Sequence, residues 1–600
     1  MKLYTKLAQI TEEITNRSSE SRSAYLAKID VMVNKEPNRA HLSCGNQAHA
    51  YAAMGSEKPL LAKGRSPNLG IITAYNDMLS AHQPFAEFPD LIKQAAIKTG
   101  ATAQVAGGVP AMCDGVTQGQ PGMELSLFSR DVIALSTAVA LSHDTFDAVA
   151  YLGVCDKIVP GLVMAAAAFG HLPGIFLPAG PMTSGLSNEE KAVTRQKYSK
   201  GEITREELLK SEMQAYHGPG TCTFYGTANS NQMLMEFMGL HLPGSSFVNP
   251  GSPLRKALTE EGTKRVLSLT SLGNEFTPVG HILNEKAFVN GIVGLMATGG
   301  STNLVIHMIA MAKAAGIILT IEDFDRISAI VPLMARVYPN GLADVNHFHA
   351  AGGLSYIIGN LLEDGLLHDD VRTVNGNNLS SYTSEPILQD GDIIWKPGMN
   401  SSLNEKILTS TRKPFSKTGG LKYLKGNIGE GIMKISAVDP THHLIEAPAM
   451  VFSDQEDVKK AFKENKIDSN AVIVVRNQGP KSNGMPELHS LTPMLSVLLG
   501  RGLQIALLTD GRMSGASGKV PSVIHTSPEV LDNGPIGKIR DGDIIRLDAI
   551  SGSMDVLNDG FIDRPDIEYS APQNEGLGRE LFESFRNNVG SASTGASSII

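Results

Sequence analysis

The chain has 600 residues, of which 42% are hydrophobic and 19% charged, a balance typical of a globular enzyme with more than one domain. Its net charge of −9 is mild and its basic residues are scattered, which argues against nucleic acid or an anionic membrane as a partner. No apolar stretch is long enough for a membrane span. Four cysteines are too few for a disulfide framework, so we expect a soluble, cytoplasmic protein in a reducing compartment.

Apolar runs alternate with helical patterns over the first part of the chain, after a largely helical N-terminal segment at 1–65. This alternation with short connections predicts an α/β domain built on a parallel sheet. The predicted strands are 68–75, 102–106, 147–154 and 174–178, and the predicted helices are 85–99, 130–143 and 160–169. Ligand sites of such sheets lie beyond the carboxyl ends of the strands.

The remaining chain divides into a helical stretch and a β-rich stretch. Residues 187–215 are charged and predict an exposed helical insertion, and 227–370 are mainly helical. Short strands with Gly and Asp turns follow, which predicts a barrel-like second domain. We therefore expect an α/β domain over 1–370 and a β-rich domain over 371–600, with a disordered tail after residue 591. The predicted strands of the second domain are at 373–376, 393–395, 426–436, 471–475, 504–509 and 541–548.

Two cysteines are followed directly by aspartate, in Cys113-Asp114 and in Cys155-Asp156, and Cys222 lies in a Gly-bounded loop. A thiolate beside a carboxylate at the end of a strand suits a soft metal centre next to a hard cation. Each cysteine could also be an ordinary small buried residue. The spacing is too wide for a zinc knuckle or a ferredoxin-type run, so spacing alone leaves the metal open.

Lys157 follows the second Cys-Asp pair and permits two interpretations. It could form a salt bridge that holds the loop, or it could be a carbamylated ligand or a charge-balancing group. In the second domain, Glu487 and Ser514 lie in Gly-rich loops beside apolar strands, where they could also be a surface acid and a turn former.

The segment Thr298-Gly-Gly-Ser301-Thr302-Asn303 precedes a predicted helix. Backbone N–H groups and hydroxyls at the beginning of a helix can bind an anion. Ser301, Thr302 and Asn303 are therefore candidate substrate-binding residues. Neither a Walker A motif nor a Rossmann glycine fingerprint is present.

Taken together, these motifs resemble the dihydroxyacid dehydratase / 6-phosphogluconate dehydratase family, in order, from about residue 65 to 570. Three further segments are similar to the 6-phosphogluconate branch of that family. The family-level motifs are Cys155-Asp-Lys157, Thr117-Gln-Gly-Gln-Pro-Gly-Met123 with Ser126-Leu-Phe-Ser-Arg130, Gly220-Thr-Cys-Thr-Phe-Tyr-Gly-Thr-Ala-Asn229, Thr298-Gly-Gly-Ser-Thr-Asn303, Gly484-Met-Pro-Glu487 and Leu508-Thr-Asp-Gly-Arg-Met-Ser-Gly515. The branch-level segments are Leu42-Ser-Cys-Gly-Asn46, Tyr75-Asn-Asp-Met-Leu-Ser-Ala-His-Gln-Pro84 and Val109-Pro-Ala-Met-Cys-Asp-Gly115.

The resemblance implies an iron–sulfur cluster, [4Fe–4S] in this branch, and a divalent cation, Mg²⁺ or Mn²⁺. It carries Cys155 and Cys222 over as cluster ligands and Ser514 as the catalytic base. The cation ligands that it implies are Asp114, Asp156, Glu487 and a carbamylated Lys157, which is also counted as catalytic.

One departure from the family pattern concerns the first cluster ligand. Sugar-acid and dihydroxyacid members have Pro-Cys-Asn near the position where this chain has Leu79-Ser80-Ala81, so their first cluster cysteine is missing here. Its replacement must be Cys113 or Cys44. We predict Cys113, because it adjoins the implied metal ligand Asp114.

The activity that the resemblance implies is dehydration of 6-phospho-D-gluconate to 2-dehydro-3-deoxy-6-phospho-D-gluconate in the Entner-Doudoroff pathway, by a homodimer or a dimer of dimers. The alternatives are dehydration of an unphosphorylated sugar acid or a branched dihydroxyacid, an iron–sulfur electron carrier or sensor, and a zinc-dependent binding protein. A phosphate needs cationic or N–H donors. The candidates near the second-domain motifs are Lys481, Arg501, Arg512 and Lys519.

Overall fold

The computed structural model describes residues 2–62, 64–199, 201–515, 517–565, 567 and 575–600. The chain begins with a long helix whose apolar face, including Leu7, Ile10 and Ile14, packs into the main hydrophobic core. Two shorter helices follow it before the first strand. These helices are α1 (Thr5–Asp30), α2 (Cys44–Tyr51) and α3 (Lys58–Ala62).

A four-stranded parallel sheet lies in this part of the chain, with the strand order β2-β1-β3-β4, so the predicted α/β domain is confirmed. All residues of β3 and β4 are buried, as expected for strands inside a parallel sheet. The strands are β1 (Asn68–Thr73), β2 (Thr102–Gly108), β3 (Ala148–Leu152) and β4 (Gly174–Phe176). The helices between and after them are α4 (Phe88–Lys98), α5 (Asp114–Thr117), α6 (Leu125–Leu141) and α7 (Ile158–Ala168).

The middle of the chain is helical, as predicted. Its central helices are almost entirely buried, whereas the two helices of the charged insertion are polar and begin with strong capping residues such as Thr204. No helix among the described residues is both long enough and apolar enough to cross a bilayer. The helices are α8 (Asn188–Ser199), α9 (Arg205–Ala215), α10 (Thr227–Phe237), α11 (Pro253–Ser268), α12 (Val279–Ile282), α13 (Glu285–Thr298), α14 (Leu304–Ala314), α15 (Ile321–Ser328), α16 (Val345–Ala350) and α17 (Gly353–Glu363).

Two strands after α17, β5 (Ser384–Gln389) and β6 (Asp392–Pro397), form a separate antiparallel hairpin that contacts α11. The strand predicted at 393–395 therefore lies outside the barrel. The strand predicted at 373–376 was wrong, because this segment is a turn in which Val374 donates its backbone N–H to Gly239. The domain division at residue 370 stays a prediction.

A closed eight-stranded barrel follows, with the order β10-β11-β12-β8-β7-β14-β13-β9, which confirms the predicted fold class. Its parallel neighbours β10 and β11 are wholly buried, as their continuous apolar runs predicted. The strands are β7 (Leu421–Gly426), β8 (Gly429–Lys434), β9 (Leu444–Phe452), β10 (Ala471–Val475), β11 (Ile505–Thr509), β12 (Ser522–Ser527), β13 (Ile544–Asp548) and β14 (Ser553–Val556). The remaining helices are α18 (Gln455–Lys463), α19 (Pro480–Asn483), α20 (Leu491–Gly500) and α21 (Glu583–Asn588).

The C-terminal tail is ordered, so the prediction of a disordered tail was wrong. The guanidinium of Arg130 on α6 is fully buried and donates to the backbone carbonyls of Gly595 at 3.0 Å and Ala596 at 2.6 Å. Asp131 accepts from the Ser597 hydroxyl and the Ser598 amide. A run of small polar residues is typical of a disordered tail. Here the small side chains let the backbone come close to the buried charges of Arg130 and Asp131.

We expect deletion of residues 591–600 to lower the thermal midpoint clearly, because the buried Arg130 guanidinium would lose two carbonyl acceptors. Leaving a buried charged donor unsatisfied costs about 3 kcal/mol or more. Calorimetry should show a much smaller effect for deletion of residues 599–600 alone, which keeps those carbonyls. If both deletions melt alike, the tail does not stabilise the fold through Arg130.

Glu236 on α10 predicts a pH dependence of stability. Its carboxyl is fully buried, accepts from the Gly244 amide and the Ser246 hydroxyl, and burial raises its pKa to about 7. Since the folded pKa lies above the unfolded value, the stability of the protein falls as the pH rises from about 4.5 to about 7. The loss is about 3 kcal/mol at 1.36 kcal/mol per unit.

The test compares the unfolding free energy of the parent and Glu236→Gln at pH 5 and pH 8. The unfolding free energy of Glu236→Gln should lack the decrease caused by ionisation of Glu236. The difference in unfolding free energy between the parent and the variant should therefore be smaller at pH 8 than at pH 5. Glu202→Gln, at an exposed position, is the matched control and should follow the parent. Parallel pH profiles for all three proteins would contradict the prediction.

Candidate active site

The carboxyl ends of the parallel strands hold the first group of predicted site residues. Cys155 and Asp156 come just after β3, Lys157 precedes α7, and the Cys113-Asp114 pair follows β2 at the beginning of α5. Cys155 has a positive φ of 73°, which is uncommon for a residue with a side chain and is a feature of functional loops. The sequence therefore placed Cys155 correctly at the carboxyl end of a strand, and the structure adds the Cys113-Asp114 pair after β2.

Three of the four cysteines lie close enough to influence one another's ionisation. Burial raises the pKa of Cys155 well above its ordinary value, and the neighbouring Cys113 and Cys222 raise it further. Burial, followed by Cys113, raises the pKa of Cys222 to about 12. Cys44, by contrast, is exposed at the beginning of α2.

The carboxylates of Asp114, Asp156 and Glu487 converge beside these thiols. Each offers an oxygen, and the three oxygens lie within 4.8 Å of one another. Two oxygens bound to one Mg²⁺ are at most about 4.2 Å apart, because each lies about 2.1 Å from the ion. A small closure would therefore bring all three carboxylates to one hard cation, so this donor set fits the divalent ion implied by the sequence.

Two buried cations neutralise this carboxylate cluster. Lys157 Nζ contacts Asp114 and lies 3.6 Å from Asp156, while Arg512 donates to Glu487 at 2.6 Å and to Asp114 at 3.1 Å. Burial alone would raise the pKa of Asp114, but Lys157 and Arg512 hold it well below its usual range. Burial raises the pKa of Glu487 to about 7 in spite of Arg512. The three carboxylates and the two cations therefore form one network in which the charge of each group affects the ionisation of the others.

Three members of this network were not assigned to the metal site in the sequence analysis. Arg512 was considered only as a phosphate ligand, yet it links the two carboxylates that come from the parallel-sheet and barrel parts of the chain. Gln118 Nε2 donates to Glu487 at 3.0 Å, and the Ser126 hydroxyl donates to Asp114. All three lie in motifs that carry the family resemblance, and this was the feature of the sequence from which a role in the site could have been inferred.

Ser514 lies in the loop after β11, two residues beyond Arg512, and lines a small, partly open cavity. The predicted substrate-binding residues Ser301, Thr302 and Asn303 line the same cavity. Asn303 Nδ2 donates at 3.0 Å to the carbonyl of Met513, which joins the helical loop to the barrel loop directly before Ser514.

Close packing also holds the Ser514 loop. A side chain at Gly515 would approach the Thr227 amide to 2.7 Å, so only glycine fits there. The backbone N–H groups of Ser301 and Asn303 already donate, to Ser230 Oγ and Ser301 Oγ respectively. These two amides are therefore committed inside the protein.

Comparison with known proteins agrees with this geometry. The family model described as Dihydroxy-acid/6-phosphogluconate dehydratase N-terminal matches residues 66–382, and its C-terminal counterpart matches residues 406–596. The chain belongs to this dehydratase family. The family prediction from the sequence motifs is thereby confirmed.

Relatives within the family match over nearly their whole length. A phosphogluconate dehydratase of Rhizobium meliloti is 58% identical over 100% of this chain and 99% of its own. One of Escherichia coli K12 is 54% identical over 99% of both chains. A dihydroxy-acid dehydratase of Sulfurisphaera tokodaii is 36% identical over 87% of this chain and 89% of its own.

Proposed function

We propose that this protein is a hydro-lyase that converts 6-phospho-D-gluconate to 2-dehydro-3-deoxy-6-phospho-D-gluconate and water. The observation that carries the proposal is the proximity of three thiols to three carboxylates, of which Asp114 and Glu487 are buried, with Ser514 two residues beyond the Arg512 that binds this cluster. The high identity to proteins named phosphogluconate dehydratase favours this substrate over a branched dihydroxyacid.

The donor atoms fit the two cofactors that the family implies. Cys113, Cys155 and Cys222 would hold a [4Fe–4S] cluster, and three thiolates would leave one iron without a protein ligand. Asp114, Asp156 and Glu487 would hold Mg²⁺ or Mn²⁺ together with a carbamylated Lys157, which would convert that cation to an anionic oxygen ligand. When bound, these groups supply Lewis acidity to the substrate's oxygens.

The protein residues then have separate tasks. Ser514 Oγ accepts the proton from C2, and the electron pair of that C–H bond forms the C2–C3 double bond as the C3–oxygen bond breaks. The departing hydroxide takes up a proton from solvent to leave as water, Ser514 returns its proton to solvent, and the enol product tautomerises to the ketone. A serine can act as a base only where nearby cations lower its pKa strongly, and the Ser514 loop also carries Arg512.

Arg512 also keeps the carboxylates in place. Its guanidinium is fully buried, and although burial opposes ionisation, Asp114 and Glu487 raise its pKa above the ordinary value. It therefore stays charged and binds one carboxylate from each part of the chain, which aligns the barrel loops with the sheet edge.

We further propose that the enzyme works as a homodimer or a dimer of dimers. Val105 on the edge strand β2 and Leu135 and Val139 on the neighbouring helix α6 are exposed apolar residues, and such patches are typical of subunit contacts. Light scattering on the active protein should give at least a dimeric mass. A monomeric mass with full activity would refute this part of the proposal.

The decisive experiment is performed on protein purified without oxygen. We expect bound iron and sulfide, turnover of 6-phospho-D-gluconate to a 2-keto acid, and loss of activity in air. Gluconate and a branched dihydroxyacid serve as competing substrates. Preference for either would support the corresponding alternative, and iron without any dehydration would favour an electron carrier or sensor.

A further inference from the structure

A buried lysine lines the Ser514 cavity from the barrel side. Lys434 is the last residue of β8 and is only 7% exposed. Its Nζ donates at 2.8 Å to the carbonyl of Gly299 and at 3.0 Å to that of Gly300, in the loop that leads to Ser301. These bonds hold the ammonium group at the wall of the cavity.

This lysine has no carboxylate within ion-pairing distance in the part of the chain that the structure describes. None of the described lining residues of the cavity is acidic either. Burial lowers the pKa of Lys434 to about 7, with no opposing charge to restore it. A buried cation without a counter-ion is costly, and a bound anion would relieve that cost.

Asn303 adds a second unsatisfied group to the same cavity. Its side chain is 1% exposed, and its Nδ2 is committed to the Met513 carbonyl, which orients the amide. Its Oδ1 is buried and accepts no hydrogen bond from the described residues. A buried acceptor of this kind requires a donor, which a ligand hydroxyl can supply.

The other cations considered for phosphate binding are engaged elsewhere or exposed. Lys481 pairs with Asp532, and Arg501 lies over the Phe462 ring. Arg512 belongs to the carboxylate cluster. Lys519 is exposed between two residues that line the cavity.

We propose that the Ser514 cavity binds the phosphorylated end of the substrate, with Lys434 pairing with the phosphate and Asn303 Oδ1 accepting a hydrogen bond from a substrate hydroxyl. This inference rests on the proposed function, since it orients 6-phospho-D-gluconate with its carboxylate toward the cation that Asp114, Asp156 and Glu487 would hold.

The same arrangement explains discrimination against a branched dihydroxyacid. An alkyl group in the cavity would leave Lys434 without a counter-ion and Asn303 Oδ1 without a hydrogen-bond donor. A site built to bind polar groups rejects an analogue that lacks them, because its own buried groups stay unpaired. Lys434 is therefore proposed as the specificity-determining residue, while Asn303 binds a hydroxyl.

The test uses the iron-loaded enzyme with Lys434→Gln, which can donate to a carbonyl but carries no charge, and Lys434→Arg, which retains the charge. Two quantities are measured: inhibition by inorganic phosphate, and the ratio of kcat/KM for 6-phospho-D-gluconate to that for gluconate. Lys434→Gln should weaken both about 10- to 100-fold, the range expected for a hydrogen bond to a charged group. Lys434→Arg should retain most of both.

The control is Lys422→Gln, which removes a partly buried lysine on β7 that pairs with Asp325 and does not line the cavity. Asn303→Asp is a second variant of the same shape, and its negative charge should also weaken phosphate inhibition. Unchanged phosphate inhibition in both Lys434→Gln and Asn303→Asp would overturn the inference. So would loss of inhibition in Lys519→Gln while Lys434→Gln behaves like the parent.

The parent enzyme separates this inference from the proposed function. If the parent does not dehydrate 6-phospho-D-gluconate, the proposed function fails together with the inference. If it does and the Lys434 and Asn303 variants discriminate as the parent does, only the inference fails. Iron content and thermal midpoint of each variant establish that the comparison is made on folded, loaded protein.

Discussion

We expect Cys113→Ser to purify without its iron–sulfur cluster and without activity, whereas Cys44→Ser keeps both. The reason is position, because Cys113 lies near enough to Cys155 and Cys222 to raise their pKa values, and Cys44 is exposed on α2. A serine hydroxyl is a poor replacement for a thiolate at iron. Iron and sulfide analysis of protein purified without oxygen provides the measurement.

Cys155→Ser and Cys222→Ser should each lose the colour of the iron–sulfur cluster and the turnover of 6-phospho-D-gluconate. Cys44→Ser is the matched control for the chemistry of the substitution. A colourless Cys44→Ser with a fully loaded Cys113→Ser would reverse the assignment. The structure adds an observation here, since the Ser80 carbonyl accepts from the Gly220 amide at 2.7 Å, so the segment of the missing family cysteine lies beside the Cys222 loop.

The second large effect is expected for Ser514→Ala, which should keep the cluster, the cation site and the fold but lose C2 proton abstraction. Removal of one hydroxyl from a loop held by Gly515 and by the Met513 carbonyl should hardly disturb packing. Loss of a general base lowers the rate by about 10²-fold or more. The measurements are the dehydration rate and the exchange of the C2 hydrogen with deuterated solvent, at verified iron content.

Ser490→Ala is the control for this experiment, because its hydroxyl donates to Gln455 and does not line the cavity. It should dehydrate 6-phospho-D-gluconate at the parent rate. A Ser514→Ala enzyme within a few-fold of the parent would show that another residue is the base. His489, two positions beyond Glu487, would then be tested next, although burial lowers its pKa to about 4 and makes the ring a weaker base.

Much of the fold could be inferred from local patterns. Continuous apolar runs predicted β3, β10 and β11, because strands that are buried on both faces carry apolar side chains throughout. The errors occurred where local composition is ambiguous. The segment around Val374 forms a turn, and the small polar tail is ordered only because Arg130 and Asp131 bind its backbone and hydroxyls.

The residues of the site also divide into those that the sequence indicated and those that only the tertiary structure revealed. The strand end already indicated that Cys155 and Asp156 lie at the carboxyl edge of a parallel sheet, and the family resemblance implied Asp114 as a metal ligand. The partners of those residues depend on how distant segments fold together. Arg512 lies 398 residues from Asp114 along the chain and contacts it only because the barrel packs beside the sheet.

The cavity is the clearest case of such long-range packing. Lys434 contacts Gly299 and Gly300 across more than a hundred residues of sequence, and nothing in the pattern of β8 distinguishes this lysine from an exposed one. Whether a charged side chain is solvated or buried is set by everything that packs around it. Sequence motifs therefore established the chemistry of the site, whereas the burial and pairing of its charges arose from the contact between the barrel and the helical loop.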